Sequence, residues 1–217
     1  MEDTIPPVRT RRKQARPGEL LAAALDCFAE KGFAATRMEE IARRAGVAKG
    51  TFYLYFPSKE AVFEALVREN ILPRLEAMEA GARMPGAGAA DRLRAILAGV
   101  SLVVGNPCLV AIPKLVMAEA GNFPDMARFY RKEVVERGLR LLGGILRDGI
   151  AAGEFRPMAD PEITARLFMA PVLLAAIWRT SFAAVEEQPL SVDTLLSTHA
   201  ELFLRSIQAE PGMGGAA

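Results

Sequence analysis

Apolar residues recur at helical spacing along almost the whole chain, and no stretch alternates with the two-residue period of a strand. Leu21, Ala24, Leu25 and Phe28 form the inner stripe of a first helix, which opens near Pro17 and closes around Lys31-Gly32. Met38, Ile41, Ala42 and Ala45 fall at i, i+3, i+4 and i+7 and predict a short second helix. Thr36-Arg37-Met38-Glu39 fits the capping box at its start, and Gly46 stands where a left-handed residue ends it. A third helix begins within a few residues and places Phe52 and Phe56 on one side. Ser58 is positioned to cap a fourth helix that runs to about Ala80, where the Gly/Pro/Ala-rich stretch 81–90 reads as a loop. A fifth helix covers Asp91 to Val104, a sixth runs to about Glu119, and a long seventh runs from Asp125 to about Ala152, with Gly153 as its stop. Pro161 opens an eighth that ends near Glu186, and Ser191 or Asp193 caps a ninth that ends near Ala209. The pattern predicts an all-α chain of about nine helices. An arm (1–16) precedes them, and 210–217 is a frayed tail.

Two short helices joined by a tight glycine turn form a helix-turn-helix, whose second helix can enter the major groove of DNA. With Phe52 and Phe56 turned inward, the opposite side of the third helix carries Gly50, Thr51 and Leu54, with Tyr55 on its flank. A glycine lets a neighbouring backbone come close, hydroxyls can donate to phosphate, and a leucine can touch a thymine methyl. An ordinary helical hairpin with a solvated basic edge would need none of these.

The residues Gly32-Phe33, Ala35-Thr36, Ile41-Ala42, Ala45-Gly46-Val47, Lys49-Gly50-Thr51, Tyr53, Tyr55-Phe56 and Lys59-Glu60 resemble the DNA-binding domain of the tetracycline-repressor (TetR) family. The likeness covers roughly Pro17 to Leu66, which implies an N-terminal helix-turn-helix DNA-binding domain over residues 17–66 and a C-terminal helical ligand-binding and dimerisation domain over 67–209. It implies an all-helical homodimer whose second domain binds a small molecule and which represses transcription from a pseudo-palindromic operator. By the same resemblance Thr36, Lys49, Thr51, Tyr53, Tyr55 and Lys59 would contact DNA; Gly50 and Leu54 on the outward side of the third helix, and Arg37, complete the candidate DNA contacts. Ala48 departs from the pattern, since many members cap the recognition helix there with Ser or Thr, a difference of about 1 kcal/mol.

Charge adds to this mainly through its placement. The 217 residues carry a formal net charge of +1, but residues 1–60 hold 11 Lys+Arg against 8 Asp+Glu, and the remainder is net acidic. Arg9, Arg11, Arg12, Lys13 and Arg16 make the N-terminal arm basic, suited either to a DNA backbone or groove or to a solubilising tail. Two cysteines, Cys27 and Cys108, make no disulfide framework. The N-terminus is polar and Pro-rich, without the apolar core of a signal peptide, so a cytoplasmic location is expected. The uncharged run Ala95 to Pro113 is broken by Gly105-Asn106-Pro107, and Leu167 to Trp178 is too short between its arginines for a bilayer span.

The second domain reads less clearly. Met117, Phe123, Met126, Phe129, Tyr130, Met169, Trp178 and Phe182 are candidate walls of a largely apolar small-molecule pocket, although each also suits a plain core. Leu195, His199, Leu202 and Phe203 lie on one stripe of the ninth helix. The resemblance implies that helices eight and nine pair with their copies across a two-fold axis. No cofactor, metal or membrane partner is expected. A TetR-type factor governed by a protein partner is the alternative reading. A helical enzyme is the remote one, since the single histidine, His199, sits among leucines and no CxxC, HExxH or phosphate-loop pattern is present.

Overall fold

The computed structural model describes residues 17–83 and 85–209; the basic arm, with Arg9, Arg11, Arg12, Lys13 and Arg16, and the tail 210–217 lie outside the described residues. Nine helices follow one another there: α1 (Pro17–Ala35), α2 (Met38–Arg44), α3 (Lys49–Tyr55), α4 in two segments (Lys59–Asn70 and Leu72–Ala82), α5 (Ala89–Gly105), α6 (Pro107–Glu119), α7, α8 (Pro161–Ser181) and α9 (Val192–Ile207). Helix α7 is continuous but changes winding, with Pro124–Tyr130 and Glu136–Ala151 separated by a π-turn at Arg131–Val135. Among the described residues the only β-type pairing is an isolated bridge between Phe155 and Gln208.

Local chemistry accounts for most boundaries. Gly46 adopts φ +69°, the left-handed turn that ends α2. Side chains of Ser58, Asn106, Asp160 and Ser191 accept backbone amides at the starts of α4, α6, α8 and α9. Helix α5 starts two residues before Asp91, and its cap comes from far away: the Glu154 carboxylate accepts the amides of Ala89 (3.0 Å) and Ala90 (3.3 Å). Helix α4, expected to run unbroken, is interrupted at Ile71. Pro73 has no amide to continue the ladder, so the helix restarts one residue before it. Helix α8 ends at Ser181, five residues short of the expected Glu186.

The capping box at Thr36 does not form. Arg37 occupies the N-cap position of α2 without a side-chain cap, while the Thr36 hydroxyl donates to the carbonyls of Gly32 (2.7 Å) and Cys27 (3.1 Å). A hydroxyl closing the end of α1 is the better use, because α1 breaks at Gly32 (φ 78°) and leaves carbonyls that need donors.

Two cores lie end to end. In the first, Leu20, Ala24, Phe28 and Phe33 of α1 meet Ile41, Phe52, Phe63 and Leu66, and also Ile112 and Leu115 of α6 and Met126 of α7. In the second, Leu93 and Leu97 pack with Leu142, Leu146, Phe168, Leu196 and Leu204. The first core therefore crosses from the N-terminal helices into α6 and α7. Phe33 is its hinge point: fully buried, it lies 5.1 Å from the Phe28 ring, 6.3 Å from Phe63 and 4.7 Å from Phe123, the last two edge-on. Arg137 adds a bidentate link from α7 to Glu79 on the second segment of α4, at 3.1 and 2.9 Å. Phe33→Ala should cost about 3–5 kcal/mol in urea unfolding, the range for a buried phenylalanine truncation; a loss below about 1 kcal/mol would mean that this contact set is not a tight core.

Candidate nucleic-acid interface

Helix α3 presents its outward side fully to solvent. Phe52 and Phe56 are buried as its spacing requires, 5.4 Å apart ring to ring, which fixes the helix against the first core. Gly50 and Thr51 are exposed, as are Tyr53 and Tyr55, and Leu54 is 86% exposed. A Cβ added at Gly50 would meet nothing within 4 Å, so intramolecular packing does not demand glycine there. The missing side chain leaves space for something outside the molecule. Arg37 is exposed at the start of α2.

Two expected contacts fall away from this face. Thr36 is 1% exposed with its hydroxyl spent on α1 carbonyls, so it has no donor left for phosphate. The Lys59 ammonium donates to the carbonyls of Phe33 (2.7 Å) and Ala34 (3.0 Å) and lies 4.9 Å from the centre of the Phe33 ring. A cation in the first turn of α4 opposes that helix's dipole. Here it instead answers the negative carbonyl end of α1, where it is favoured.

One residue has a role on this face that the sequence does not signal. The Glu39 carboxylate accepts from Lys49 (2.7 Å) and from the Tyr53 hydroxyl (3.3 Å), and Lys49 also lies 5.7 Å over the Tyr53 ring. The Lys49 ammonium holds the Glu39 carboxyl below the usual carboxylate range, and Glu39 in turn raises Lys49. A phosphate approaching α3 must displace this carboxylate or share its donors. Glu39 reads in sequence as the acid of a capping box with Thr36, and only the fold brings it to Lys49.

Helices of the second half border two cavities of about 630 Å³ each. One lies between α1, α6 and α8, against Phe28, Gly32, Val110, Lys114, Leu115 and Arg179. The other lies between the second segment of α4 and α5, against Met78, Arg92, Ile96, Gly99 and Leu102. The uncharged run 95–113 reaches both. None of the eight aromatic and methionine candidates lines either one. Phe123, Met126, Phe129 and Tyr130 pack against the first core, so they join the two halves. Arg68 stacks 5.0 Å from the Phe129 ring. Met169 packs on the second core, Met117 is 42% exposed, and Trp178 donates to Glu186 (2.7 Å) beside Phe182. Helical spacing marks these residues as apolar, but it carries no information on which neighbour each meets.

Comparison with known proteins decides the family. Residues 20–66 match the profile of "Bacterial regulatory proteins, tetR family", and residues 91–206 match "AefR-like transcriptional repressor, C-terminal domain". The chain belongs to the TetR family of transcriptional regulators. It is 29% identical to the fatty acid metabolism regulator protein of Bacillus subtilis over 163 residues, which are 74% of this chain and 82% of that one. It is 48% identical to the regulator RutR of Escherichia coli K12 over 61 residues, 28% of this chain and 29% of that one. The crystal structure of B. subtilis FadR in complex with stearoyl-CoA superposes with a TM-score of 0.75 at 25% identity, covering 89% of this chain and all of that one. That of the ketosteroid regulator KstR2 of Mycobacterium tuberculosis gives 0.70 at 26%, covering 91% and 97%.

As in its TetR-family relatives the fold is a helical reading head on a larger helical body, and the body leaves one apolar face uncovered. Ile163, Leu167, Leu174 and Ile177 recur along α8 at 41–61% exposure, with Leu202 of α9 at 62%. By length and mean hydropathy (1.3) α8 suffices to cross a bilayer. Its opposite side, however, buries Phe168, Val172, Ala175 and Ala176 in the second core, and Arg166 stands inside the helix. Of the four stripe candidates on α9, Leu202 is open while Leu195, His199 and Phe203 are half-buried. The His199 Nε2 lies 2.9 Å from the Phe168 carbonyl and its ring packs against Phe203. For the DNA face, Glu39→Gln should raise affinity for duplex DNA by about fivefold, the upper end for an exposed ion pair, in a fluorescence-anisotropy titration. Unchanged or weaker binding would show that Glu39 does not compete with phosphate for Lys49.

Proposed function

We propose that the protein is a ligand-responsive repressor that binds a pseudo-palindromic operator as a homodimer and releases it when a small effector with an apolar body binds the second half. The observation that carries the reading is the outward side of α3: a bare Gly50, two hydroxyl-bearing aromatics and a leucine left almost wholly in water. Burying that leucine against a thymine methyl, and giving the hydroxyls phosphate oxygens, is worth more than leaving them solvated. Arg37, Lys49, Gly50, Thr51, Tyr53, Leu54 and Tyr55 are the assigned DNA contacts. Thr36 and Lys59 act one step back, by holding the end of α1 under the motif.

The stripe on α8 and Leu202 on α9 supply the dimer contact. A two-fold axis through it makes the same residues meet their copies, so one surface serves both protomers. Two reading helices about 34 Å apart then face successive major grooves. For the effector, an apolar body agrees with two relatives: B. subtilis FadR forms a complex with stearoyl-CoA, and KstR2 is a ketosteroid regulator. Control requires only that the effector bind the non-DNA-binding arrangement more tightly, and the shift equals that difference. Such a regulator acts in the cytoplasm and does no catalysis. A protein partner in place of the small molecule would bind the same scaffold without occupying either cavity.

Selection of bound sequences from a random duplex pool tests the reading. Expected is a two-fold-symmetric site with half-sites about one turn apart, and affinity that falls by about 10³-fold between 50 and 200 mM salt if some six phosphates are touched. Leu167→Glu combined with Leu202→Glu should sediment as monomer and lose that site. Enrichment of an asymmetric sequence, or of none at low salt, would contradict the dimeric repressor.

A further inference from the structure

Of the two cavities, the one between α1, α6 and α8 is chemically unlike a plain packing gap. Its volume of about 630 Å³ is that of a small-molecule site. Phe28, Val110, Ala111 and Leu115 give it apolar walls, while Lys114 and Arg179 stand at its edge. Lys114 spends one of its three donors on the Thr180 carbonyl at 3.1 Å. Neither it nor Arg179 has a carboxylate within ion-pair distance among the described residues, although thirteen such pairs occur elsewhere in them. Charges in the other cavity are largely answered: Arg92 pairs with Asp148, and Asp91 with Arg94. Arg179 also lies on the side of α8 opposite the Ile163–Leu167–Leu174 stripe, about 160° round the helix from Ile163, so dimerisation leaves it free.

We propose that this cavity binds an amphipathic anion, its acidic head held by Lys114 and Arg179 and its apolar body lying against Phe28, Val110 and Leu115. The assignment rests on the ligand-responsive reading and names the site and the chemical class of the effector. Two adjacent cations select a carboxylate or phosphate by charge-assisted hydrogen bonds, and the guanidinium can grip either head with two parallel donors.

The position suits control of DNA binding. Phe28 and Gly32 belong to α1 of the reading head, so an occupant touches both halves at once. Glu119 lines the same cavity and accepts the Ala34 amide through one oxygen (3.3 Å) and the Asn122 side chain through the other (3.0 Å). An anion seated beside that carboxylate repels it, and the long bond to Ala34 is the contact that yields. Ala34 adjoins Phe33, whose carbonyl holds Lys59. Head-group binding therefore works directly on the last turn of α1.

The test uses the full chain and three probes of equal chain length: decanoate, decyl phosphate and decanol. Binding is followed by isothermal titration and by the fluorescence of Trp178, the single tryptophan and the neighbour of Arg179. At least one anion should bind roughly tenfold or more tightly than the alcohol, the worth of one charge-assisted bond, and the better anion identifies the head as carboxylate or phosphate. Lys114→Gln with Arg179→Gln should abolish that preference and leave decanol affinity as it was, with the thermal transition checking the fold. The exchanged pair, Lys114→Arg with Arg179→Lys, should keep it. Equal binding of all three probes, or a preference that survives the double glutamine variant, overturns the site. Adding the selected operator separates the two claims. Anion binding that leaves DNA affinity untouched defeats the ligand-responsive reading alone, and operator release by an effector indifferent to Lys114 and Arg179 defeats this site alone.

Discussion

The last turn of α1 is the place where the helix-turn-helix and the second half of this fold are held together. Helix α1 breaks at Gly32, and the residues just beyond it are tied to several neighbouring elements. Phe33 fills the junction between Phe28, Phe63 and Phe123; Thr36 and Lys59 donate to the freed carbonyls; Glu119 takes the amide of Ala34. Lys59 and Thr36 come from the reading head, Phe123 and Glu119 from the second half. A broken helix end leaves carbonyls without intrahelical partners, and Thr36 and Lys59 supply them. The Phe123 ring and the Glu119–Ala34 bond are the contacts that couple the two halves.

The reading face follows from what α3 cannot expose. Seven residues are too few to stand alone as a helix, so α3 persists only by sinking Phe52 and Phe56 into the first core. That leaves the other six positions of α3, Lys49, Gly50, Thr51, Tyr53, Leu54 and Tyr55, on the solvent side, in an orientation inherited from the core beneath them. Glu39 completes the surface by holding Lys49 and Tyr53 while no DNA is near. Because the pair is exposed and worth little, a phosphate can compete with the acid for the same donors, and the dense row of phosphates along a duplex favours the exchange.

Features governed by neighbours in sequence are legible in the chain itself: the glycine turn at Gly46, the inward pair Phe52 and Phe56, the Ser58 and Ser191 caps, the stop at Gly153. Each depends on a few consecutive residues. The roles of Thr36 and Lys59 are not legible there, because both serve carbonyls of α1 that only the folded chain brings near. The same limit explains the aromatic candidates of the second half. Phe123, Met126, Phe129 and Tyr130 are recognisable as apolar, but whether they face a cavity or the reading head is a question of helix crossing, on which periodicity is silent. Lys114 and Arg179 read as ordinary surface cations, since the residues that flank them in space lie more than sixty positions apart in the chain.

The coupling at Phe33 is tested most directly by removing the second half's side of it. Phe123 touches neither α3 nor the cavity against α8, yet it supports Phe33. Affinity of Phe123→Ala for the selected operator, measured without effector and with helical content checked by circular dichroism, is the decisive quantity. A severalfold change in DNA affinity with helicity retained is the expected result. An affinity equal to that of the unaltered protein would contradict the coupling, and would mean that the reading head holds its orientation by itself.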